Sequence, residues 1–283
     1  MGEALEAEAN RKDPELKSTT QTYYKERSAA LTKVAGTLPI NPLNISIARF
    51  TVADLRGLMD EYSTNQSVSS YNGALALLRR TFFRAIEAEH RVGNPALKLK
   101  RLKPLKMEYN LPAADEFAKV VGDIRSQGKA FSKASAFSVE FLAYTGLRIS
   151  ESQTVRWRDI KTNELKVRTV KGDDIRDVPL IPACKALLAR MRESGIPTGK
   201  NDPVMLVKSP REALKGACRR LGIDHMRVHD LRHIFATRCI ESGVDIPTIA
   251  DWLGHKDGGV LALQIYGHLC PKHSTEMAGR VKA

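Results

Sequence analysis

The chain has 283 residues, with 45 Lys and Arg against 32 Asp and Glu, and its formal net charge is +13. This length favours two domains over one. The charge favours an anionic partner, and nucleic acid is preferred over a membrane surface because no basic amphipathic helix stands out. A merely soluble basic protein is the alternative that composition leaves open.

The N-terminal sequence is polar and acidic, and it lacks the apolar core of a secretory signal. No apolar run approaches the roughly 18 residues needed to span a bilayer. We therefore expect a cytoplasmic protein without a membrane partner. The four cysteines form no C-x-x-C pair and are expected to be reduced and structural: Cys184, Cys218, Cys239 and Cys270.

Few apolar side chains occur in residues 1–17, which are predicted to form a disordered tail. Residues 18–96 are predicted to form a helical domain. Apolar periodicity predicts helices over 19–34, from Thr51 onward, and from Ser67 to Val92, where Gly93-Asn94-Pro95 would end the third. Thr51 and Asp54 resemble a capping box.

Two groups of basic residues in this half are candidates for DNA contact. Arg79 and Arg80 lie mainly off the apolar stripe of the third helix, where a solvated face is the equal alternative. Residues 97–106 hold five basic side chains and no acidic one, and we interpret 97–110 as an interdomain linker. Its basic residues would follow a DNA backbone or form a solvated spacer: Lys98, Lys100, Arg101 and Lys103.

The second domain is predicted to begin at residue 111 and to be mostly α-helical. Apolar spacing predicts one helix around Phe117–Ile124 and another over 131–145 that ends at Gly146. Alternation over 157–181 predicts an antiparallel hairpin or a three-stranded sheet. Later helices are predicted over 183–195 and 209–222, with Ser209 as N-cap and Gly222 past the end, then near His229, near Pro247 and around Tyr266. The predicted fold is therefore mainly α with a small antiparallel β-sheet.

The C-terminal half also carries the residue types needed to cut a phosphodiester. The planar fork of an arginine matches the oxygens of a phosphate. A tyrosine hydroxyl has a pKa of about 10 and must be activated by a base or a cationic pocket. His229 and Arg232 share one face at a predicted helix start, which favours phosphate binding. The candidate catalytic residues are Arg148, Lys171, His229, Arg232, His255 and Tyr266.

The segments around these residues, taken in order, resemble the tyrosine recombinases of the phage-integrase family. The resemblance covers residues 111–270, and the helices before it are more loosely similar to the core-binding domain of that family. The matching segments are TGLRISE at 145–151, VKG at 170–172 leading into RDVPL at 176–180, HDLRHIFAT at 229–237, WLGH at 252–255 and IYGH at 265–268.

This resemblance implies a site-specific DNA recombinase that needs no metal, cofactor or ATP. Arg148 and Arg232 would clamp the scissile phosphate. His229 would assist proton transfer, and His255 would donate a hydrogen bond to a phosphate oxygen. Lys171 would protonate the departing 5′-oxygen, and Tyr266 would attack to leave a 3′-phosphotyrosyl link. The implied partners are double-stranded DNA, three further copies of the chain in a tetramer on two DNA sites, and accessory DNA-bending proteins.

One departure from the family pattern is a longer interval between His255 and Tyr266, which includes Gly258-Gly259. The tail at 271–283 has two open interpretations, docking on a neighbouring subunit or disorder. Tyr109 and Tyr144 are competing hydroxyls that are better explained as linker and core.

Three alternative functions compete with the recombinase. A type IB topoisomerase shares the tyrosine chemistry, and an inactive DNA-binding relic would lack some of the six chemical positions, all of which are filled here. The third alternative, a basic structural protein that coats DNA, would not need this set of histidines, arginines and a tyrosine. As an alternative for the histidines alone, a zinc site built from His229 and His233 with His225 or His255 lacks a cysteine at ligand spacing.

Overall fold

The computed structural model describes residues 1–12, 18–103, 111–168 and 175–255. The chain divides into two compact units, residues 1–108 and 109–283. The described part is mostly helical and has one two-stranded antiparallel sheet, which confirms the predicted mainly α fold. None of the described helices combines the length and the hydropathy needed to cross a bilayer.

The first unit packs its helices around the longest one, α4 (Val68–Glu87). Leu31, Leu55 and Phe82 lie fully buried in its core. The predicted capping box at the start of α3 is confirmed, because the amide of Asp54 donates to Thr51 Oγ1 and the amide of Thr51 donates to the Asp54 carboxylate. The described helices of this unit are α1 Gly2–Asn10, α2 Ser18–Ala35, α3 Val52–Thr64 and α4 Val68–Glu87.

Helix α1 shows that the prediction of a disordered tail over residues 1–17 is wrong for residues 2–10. Leu5 and Ala9 lie one helical turn apart and are both buried in the core of the first unit. The buried carboxylate of Glu8 lies 2.9 Å from Arg80 Nε and 3.8 Å from Arg84 Nε. The low apolar content misled the prediction, since a few buried apolar side chains and the two ion pairs of Glu8 hold this short helix against the first unit. Residues 13–17 lie outside the described residues.

The end of α4 also differs from its prediction. The helix ends at Glu87 rather than Val92 because Glu89 adopts the left-handed conformation, with φ of 58°. The amide that follows it donates to the carbonyl of Ala85, which gives a Schellman motif without glycine. Arg91 then donates to carbonyl groups in the loop before α3, and these long-range bonds turn the chain away from the helix axis.

The first part of the predicted linker packs against α4. Arg79 donates from Nε to the carbonyl of Ala96 at 3.1 Å and from Nη2 to that of Leu99 at 2.7 Å. Asn72 exchanges two hydrogen bonds with the backbone of Leu102. Residues 97–103 therefore belong to the first unit, and residues 104–110 of the predicted linker lie outside the described residues.

In the second unit, α6 (Ser132–Thr145) runs through the core. It contacts α5 (Ala114–Ser126), α8 (Pro182–Glu193) and α10 (Asp230–Glu241). The predicted helix end at Gly146 is confirmed, with φ of 64°. Helix α9 ends as predicted before Gly222, although Pro210 rather than Ser209 occupies its N-cap. The described helices here are α5 Ala114–Ser126, α6 Ser132–Thr145, α7 Ile149–Ser152, α8 Pro182–Glu193, α9 Arg211–Leu221, α10 Asp230–Glu241 and α11 Ile246–Leu253.

The two strands, β1 Glu164–Arg168 and β2 Ile175–Pro179, form the predicted antiparallel pair. Leu165 lies opposite Val178, and both are fully buried, as the alternation predicts. Cys184, Cys218 and Cys239 are buried free thiols, as expected. Cys270 lies outside the described residues.

Replacing the fully buried Leu5 tests the docking of α1. We expect Leu5→Ala to lower the free energy of unfolding by about 2–5 kcal/mol, because truncation leaves a cavity. Urea denaturation of the full chain, followed by circular dichroism, measures this. The control Glu6→Ala changes an exposed residue of the same helix and should stay within about 0.5 kcal/mol of the wild type. Identical midpoints for the two variants would show that α1 is not docked.

Candidate active site

Four of the six predicted catalytic residues lie at helix ends in the second unit. Arg148 immediately precedes α7, and His229 occupies the N-cap of α10. Arg232 lies in the first turn of α10, and His255 follows the glycine that ends α11. Lys171 and Tyr266 lie outside the described residues.

The structure brings Arg148 and Arg232 together on a single carbonyl group. Nη1 of Arg148 donates to the carbonyl of Leu253 at 3.4 Å, and Nη2 of Arg232 donates to the same oxygen at 2.6 Å. Arg232 also donates from Nη1 to the carbonyl of Gly146 at 2.8 Å. Arg232 is only 3% exposed, so these carbonyl groups hold its guanidinium in a fixed orientation.

The backbone conformation at the end of α11 leaves the Leu253 carbonyl accessible to both arginines. Gly254 adopts φ of 67°, and its amide donates to the carbonyl of Asp251. The amide of His255 donates to the carbonyl of Ala250 at 2.9 Å. This Schellman motif satisfies two of the four carbonyl groups that any helix leaves without an internal partner.

Arginine side chains satisfy the other two carbonyl groups. Nε of Arg176 donates to the carbonyl of Trp252 at 2.9 Å, and Leu253 accepts from Arg148 and Arg232. The C-terminal end of a helix carries partial negative charge, which stabilises cations there. The last turn of α11 therefore binds three guanidinium groups through its carbonyl oxygens.

A buried carboxylate, Glu151, completes the network. It accepts from the backbone amide and Nη1 of Arg148, both at 3.0 Å, and from Nη1 and Nη2 of Arg176 at 3.2 and 2.9 Å. Burial acts to raise the pKa of Glu151, but the hydrogen bonds from Arg176 and Arg148 outweigh it and hold that pKa below its usual value. Glu151 is therefore an ionised anchor for both arginines.

Sequence reasoning missed Glu151 and Arg176 as functional residues, although each carries a signal. Glu151 lies three residues after Arg148, which is the spacing of a capping box at a helix start. Arg176 lies opposite the buried Val167 in the sheet. A charged residue at an inward-facing strand position must have buried partners.

Arg148 presents an edge that can receive a phosphate. Its side chain is 40% exposed, and Nη1 makes both of its side-chain hydrogen bonds. Within the described ranges, Nε and Nη2 make no hydrogen bond. These two groups form the planar fork that binds two oxygens of one phosphate.

His229 is a neutral imidazole, as a general base must be before it accepts a proton. Burial, followed by the positive charges of Arg232 and Arg148, lowers its pKa, so the imidazole is neutral at pH 7 and can accept a proton. Its ring meets the edge of the buried His233 ring at a centroid distance of 5.1 Å. Burial also lowers the pKa of His233, to about 4. Among the residues described, no three His, Cys, Asp or Glu side chains cluster as a metal site would require.

The predicted DNA-binding residues of the first unit divide into two groups. Arg79 and Arg80 have intramolecular partners, the carbonyl groups after α4 and the carboxylate of Glu8. The other four have exposed side chains: Lys98, Lys100, Arg101 and Lys103.

A further set of exposed cations was not predicted. Arg211, Lys215 and Arg219 recur at every fourth residue of α9 and are all exposed. Residues spaced in this way lie on one face of a helix. Their signal in the sequence is this spacing of four, on the face next to the apolar stripe that contains the buried Leu214 and Cys218.

Comparison with known proteins identifies the family. Residues 114–273 match the model of the phage integrase family, which is more than half of the chain. The chain belongs to the phage integrase family. It is 25% identical to the ICEBs1 integrase of Bacillus subtilis, across 92% of this chain and 77% of that protein. It is 27% identical to the tyrosine recombinase XerC of Alcanivorax borkumensis, across 80% of this chain and 78% of that protein.

The fold is shared with a solved integrase structure. The crystal structure of a lambda integrase tetramer bound to a Holliday junction superposes on this chain with a TM-score of 0.67. The superposition covers 87% of this chain and 74% of that chain, with 19% sequence identity. The predicted family is confirmed, and the protein is a tyrosine-type site-specific recombinase.

The ionised state of Glu151 makes the stability of this recombinase depend on pH. Because its folded pKa is lowered, its contribution is present above the unfolded pKa of about 4 and is lost as the pH falls through the folded value. We expect Glu151→Gln to unfold more easily at pH 7, by about 3 kcal/mol. The difference from the wild type should shrink in acid, as measured by urea denaturation across pH.

A second buried carboxylate provides the matched control. Glu140 accepts from Arg125 at 2.6 Å and Arg190 at 2.7 Å, away from the site. Glu140→Gln should also reduce stability but retain DNA cleavage, whereas Glu151→Gln should lose cleavage. Equal cleavage by the two variants would contradict a role for Glu151 at the site.

Proposed function

We propose that the recombinase cuts and rejoins DNA at a phosphate held between Arg148 and Arg232, with Tyr266 as the nucleophile. The observation that carries this proposal is the convergence of the two arginines on the carbonyl of Leu253. Because this carbonyl is neutral, the arginines keep their charge while their positions are fixed. Two positioned guanidinium groups are suited to an oxyanion that gains charge in the transition state.

The cleavage step can be written with all protons assigned. The Tyr266 oxygen attacks the scissile phosphorus, and its proton passes to the neutral imidazole of His229. The bond from phosphorus to the 5′-oxygen breaks, and Lys171 protonates that oxygen. His255 donates a hydrogen bond to a non-bridging oxygen. The products are a 3′-phosphotyrosyl link and a free 5′-hydroxyl.

Rejoining reverses the same step. The 5′-hydroxyl of a second strand gives its proton to the neutral Lys171 and attacks the phosphotyrosyl phosphorus. The bond from phosphorus to the Tyr266 oxygen breaks, and that oxygen takes back the proton from His229. One phosphodiester is exchanged for another through a covalent intermediate. The bond energy is therefore conserved, and no nucleotide cofactor has to drive the reaction.

The proposed partner is cytoplasmic double-stranded DNA. The first unit, residues 1–108, would serve as the core-binding domain. Residues 111–270 would serve as the catalytic domain. The lambda integrase tetramer on a Holliday junction supports a homotetramer on two DNA sites. Accessory DNA-bending proteins are proposed as further partners on the family resemblance alone. The exposed cations at 98–103 and those on α9 would each contact DNA phosphates.

An inactive relic and a type IB topoisomerase, the two alternatives closest to this function, have less support. An inactive relic would not be expected to retain Arg148, Arg232 and His229 in one connected arrangement. The relatives above are an integrase and a tyrosine recombinase, which favours recombination over the DNA relaxation of a type IB topoisomerase.

Loss of the nucleophile is the direct test of this mechanism. Tyr266→Phe should abolish the covalent protein–DNA adduct while DNA binding persists, because the ring remains and only the attacking oxygen is lost. Nicked duplexes tiled across the DNA beside the reading frame, run on a denaturing gel, would trap the adduct and locate the site.

Tyr144→Phe is the matched control for the nucleophile. The Tyr144 ring packs against Phe117 at a centroid distance of 6.4 Å, so this variant should form the adduct normally. An adduct that survives in Tyr266→Phe but disappears in Tyr144→Phe would overturn the assignment.

The exposed cations should make DNA binding depend on salt. The slope of log K against log salt should become shallower by about 0.9 for each phosphate that the protein no longer neutralises. We expect combined Gln substitutions at Lys98, Lys100, Arg101 and Lys103 to flatten this slope in a fluorescence anisotropy titration. Lys119→Gln, which removes a surface lysine paired with Asp115, should leave the slope unchanged. A wild-type affinity that does not vary with salt would contradict phosphate binding by these cations altogether.

A further inference from the structure

Arg176 connects three separate elements of the second unit. It lies on β2, both of its terminal nitrogens donate to the Glu151 carboxylate of α7, and its Nε donates to the carbonyl of Trp252 at the end of α11. Its side chain is 10% exposed. All three guanidinium nitrogens of Arg176 are therefore hydrogen-bonded within the protein. Arg148 differs, because one edge of its guanidinium faces solvent.

The surrounding backbone leaves space for this guanidinium. A Cβ added at Gly254 would lie 2.9 Å from Nη1 and 3.0 Å from Cζ of Arg176. Two constraints therefore favour glycine at position 254: the positive φ and the close approach of the Arg176 guanidinium. A buried guanidinium is tolerated because a carboxylate and a carbonyl pair with it.

The contacts of Arg176 lead directly to both phosphate-binding arginines. The Glu151 carboxylate that it holds also holds Arg148. The Trp252 carbonyl that it holds is adjacent to the Leu253 carbonyl, which accepts from Arg148 and Arg232. A displacement of Arg176 would therefore change the position of Glu151 and of the α11 end together.

We propose that Arg176 is a positioning residue for DNA cleavage, which joins the hairpin, Glu151 and the end of α11 so that Arg148 and Arg232 keep the spacing that grips one phosphate. This role rests on the proposed function of the two arginines. Arg176 acts through them and does not touch the DNA. Its loss should consequently affect the rate of cleavage and not the affinity for the duplex.

The first experiment measures single-turnover adduct formation by Arg176→Gln on a nicked duplex that carries the cleavage site. Small misplacements of catalytic groups cost about 10²-fold in rate, and we expect a loss of that order with an unchanged Kd. Arg176→Lys keeps the charge but cannot form the planar fork, so it should restore only part of the rate. A wild-type rate in Arg176→Gln would overturn the proposal.

A neutral substrate separates positioning from a general loss of structure. If the scissile phosphate is replaced by an uncharged methylphosphonate, the need for arginine charge is reduced. The defect of Arg176→Gln should then shrink, as should that of Arg148→Ala, whereas any defect of Glu140→Gln should be the same on both substrates. An equal loss for Arg176→Gln on both substrates would overturn the proposal.

Gly254→Ala is a second variant, which disturbs the Arg176 side chain without substituting Arg176 itself. Its new Cβ would displace the guanidinium, so we expect it to slow cleavage with the same substrate selectivity. Gly195→Ala is the control, because Gly195 has φ of 75° and a Cβ there would meet nothing within 4 Å. Equal cleavage rates for the two variants would count against the proposal.

These outcomes are distinguishable from a failure of the proposed function. If the wild type forms no adduct that depends on Tyr266, the mechanism itself is wrong. If the wild type and Arg148→Ala behave as expected but Arg176→Gln does not, only the role of Arg176 is wrong.

Discussion

Four carbonyl groups at the end of α11 have no partner within their own helix, and the way in which they are satisfied determines the geometry of the site. Two accept backbone amides, and the other two accept Arg176, Arg148 and Arg232. An unsatisfied buried carbonyl is costly, so the helix end and the arginines stabilise each other. The carbonyl groups are neutral, so they fix the three guanidinium groups without cancelling their charge, and the Glu151 carboxylate offsets one of the three positive charges.

This arrangement requires helix ends to approach closely. Gly146 and Gly254 both have positive φ, and a Cβ at Gly146 would lie 2.5 Å from the Phe235 ring and 2.8 Å from Leu253 Cδ2. The carbonyl of Gly146 can therefore reach Arg232 only because α6 ends against α10 and α11. The same contacts that pack the hydrophobic core also place the charged groups, so core packing and site geometry are inseparable here.

The chemistry follows from the combination of burial and charge. Burial and the cations around His229 keep its imidazole neutral, and a bound phosphate would offset those cations and favour protonation when a proton is released nearby. In the first unit, the side chains of Arg79 and Asn72 donate hydrogen bonds to the backbone of residues 97–103, while the basic side chains of that segment stay exposed. The unit thus presents positive charge from an ordered segment, which costs less entropy on binding than a flexible one.

The sequence by itself determined the features that depend on neighbouring residues: the periodicity of α4, the Thr51–Asp54 capping box, the glycine at the end of α6 and the alternation of β1. The order of its motifs was also sufficient to indicate the recombinase family. Only the tertiary structure decided the docking of α1, the early end of α4, the use of Arg79 and the network of Glu151 and Arg176. These features depend on hydrogen bonds between residues far apart in the chain, such as Arg176 to Trp252 and Arg91 to Ile47. Which helix ends meet is decided by packing of the whole unit, and local residue patterns do not encode it.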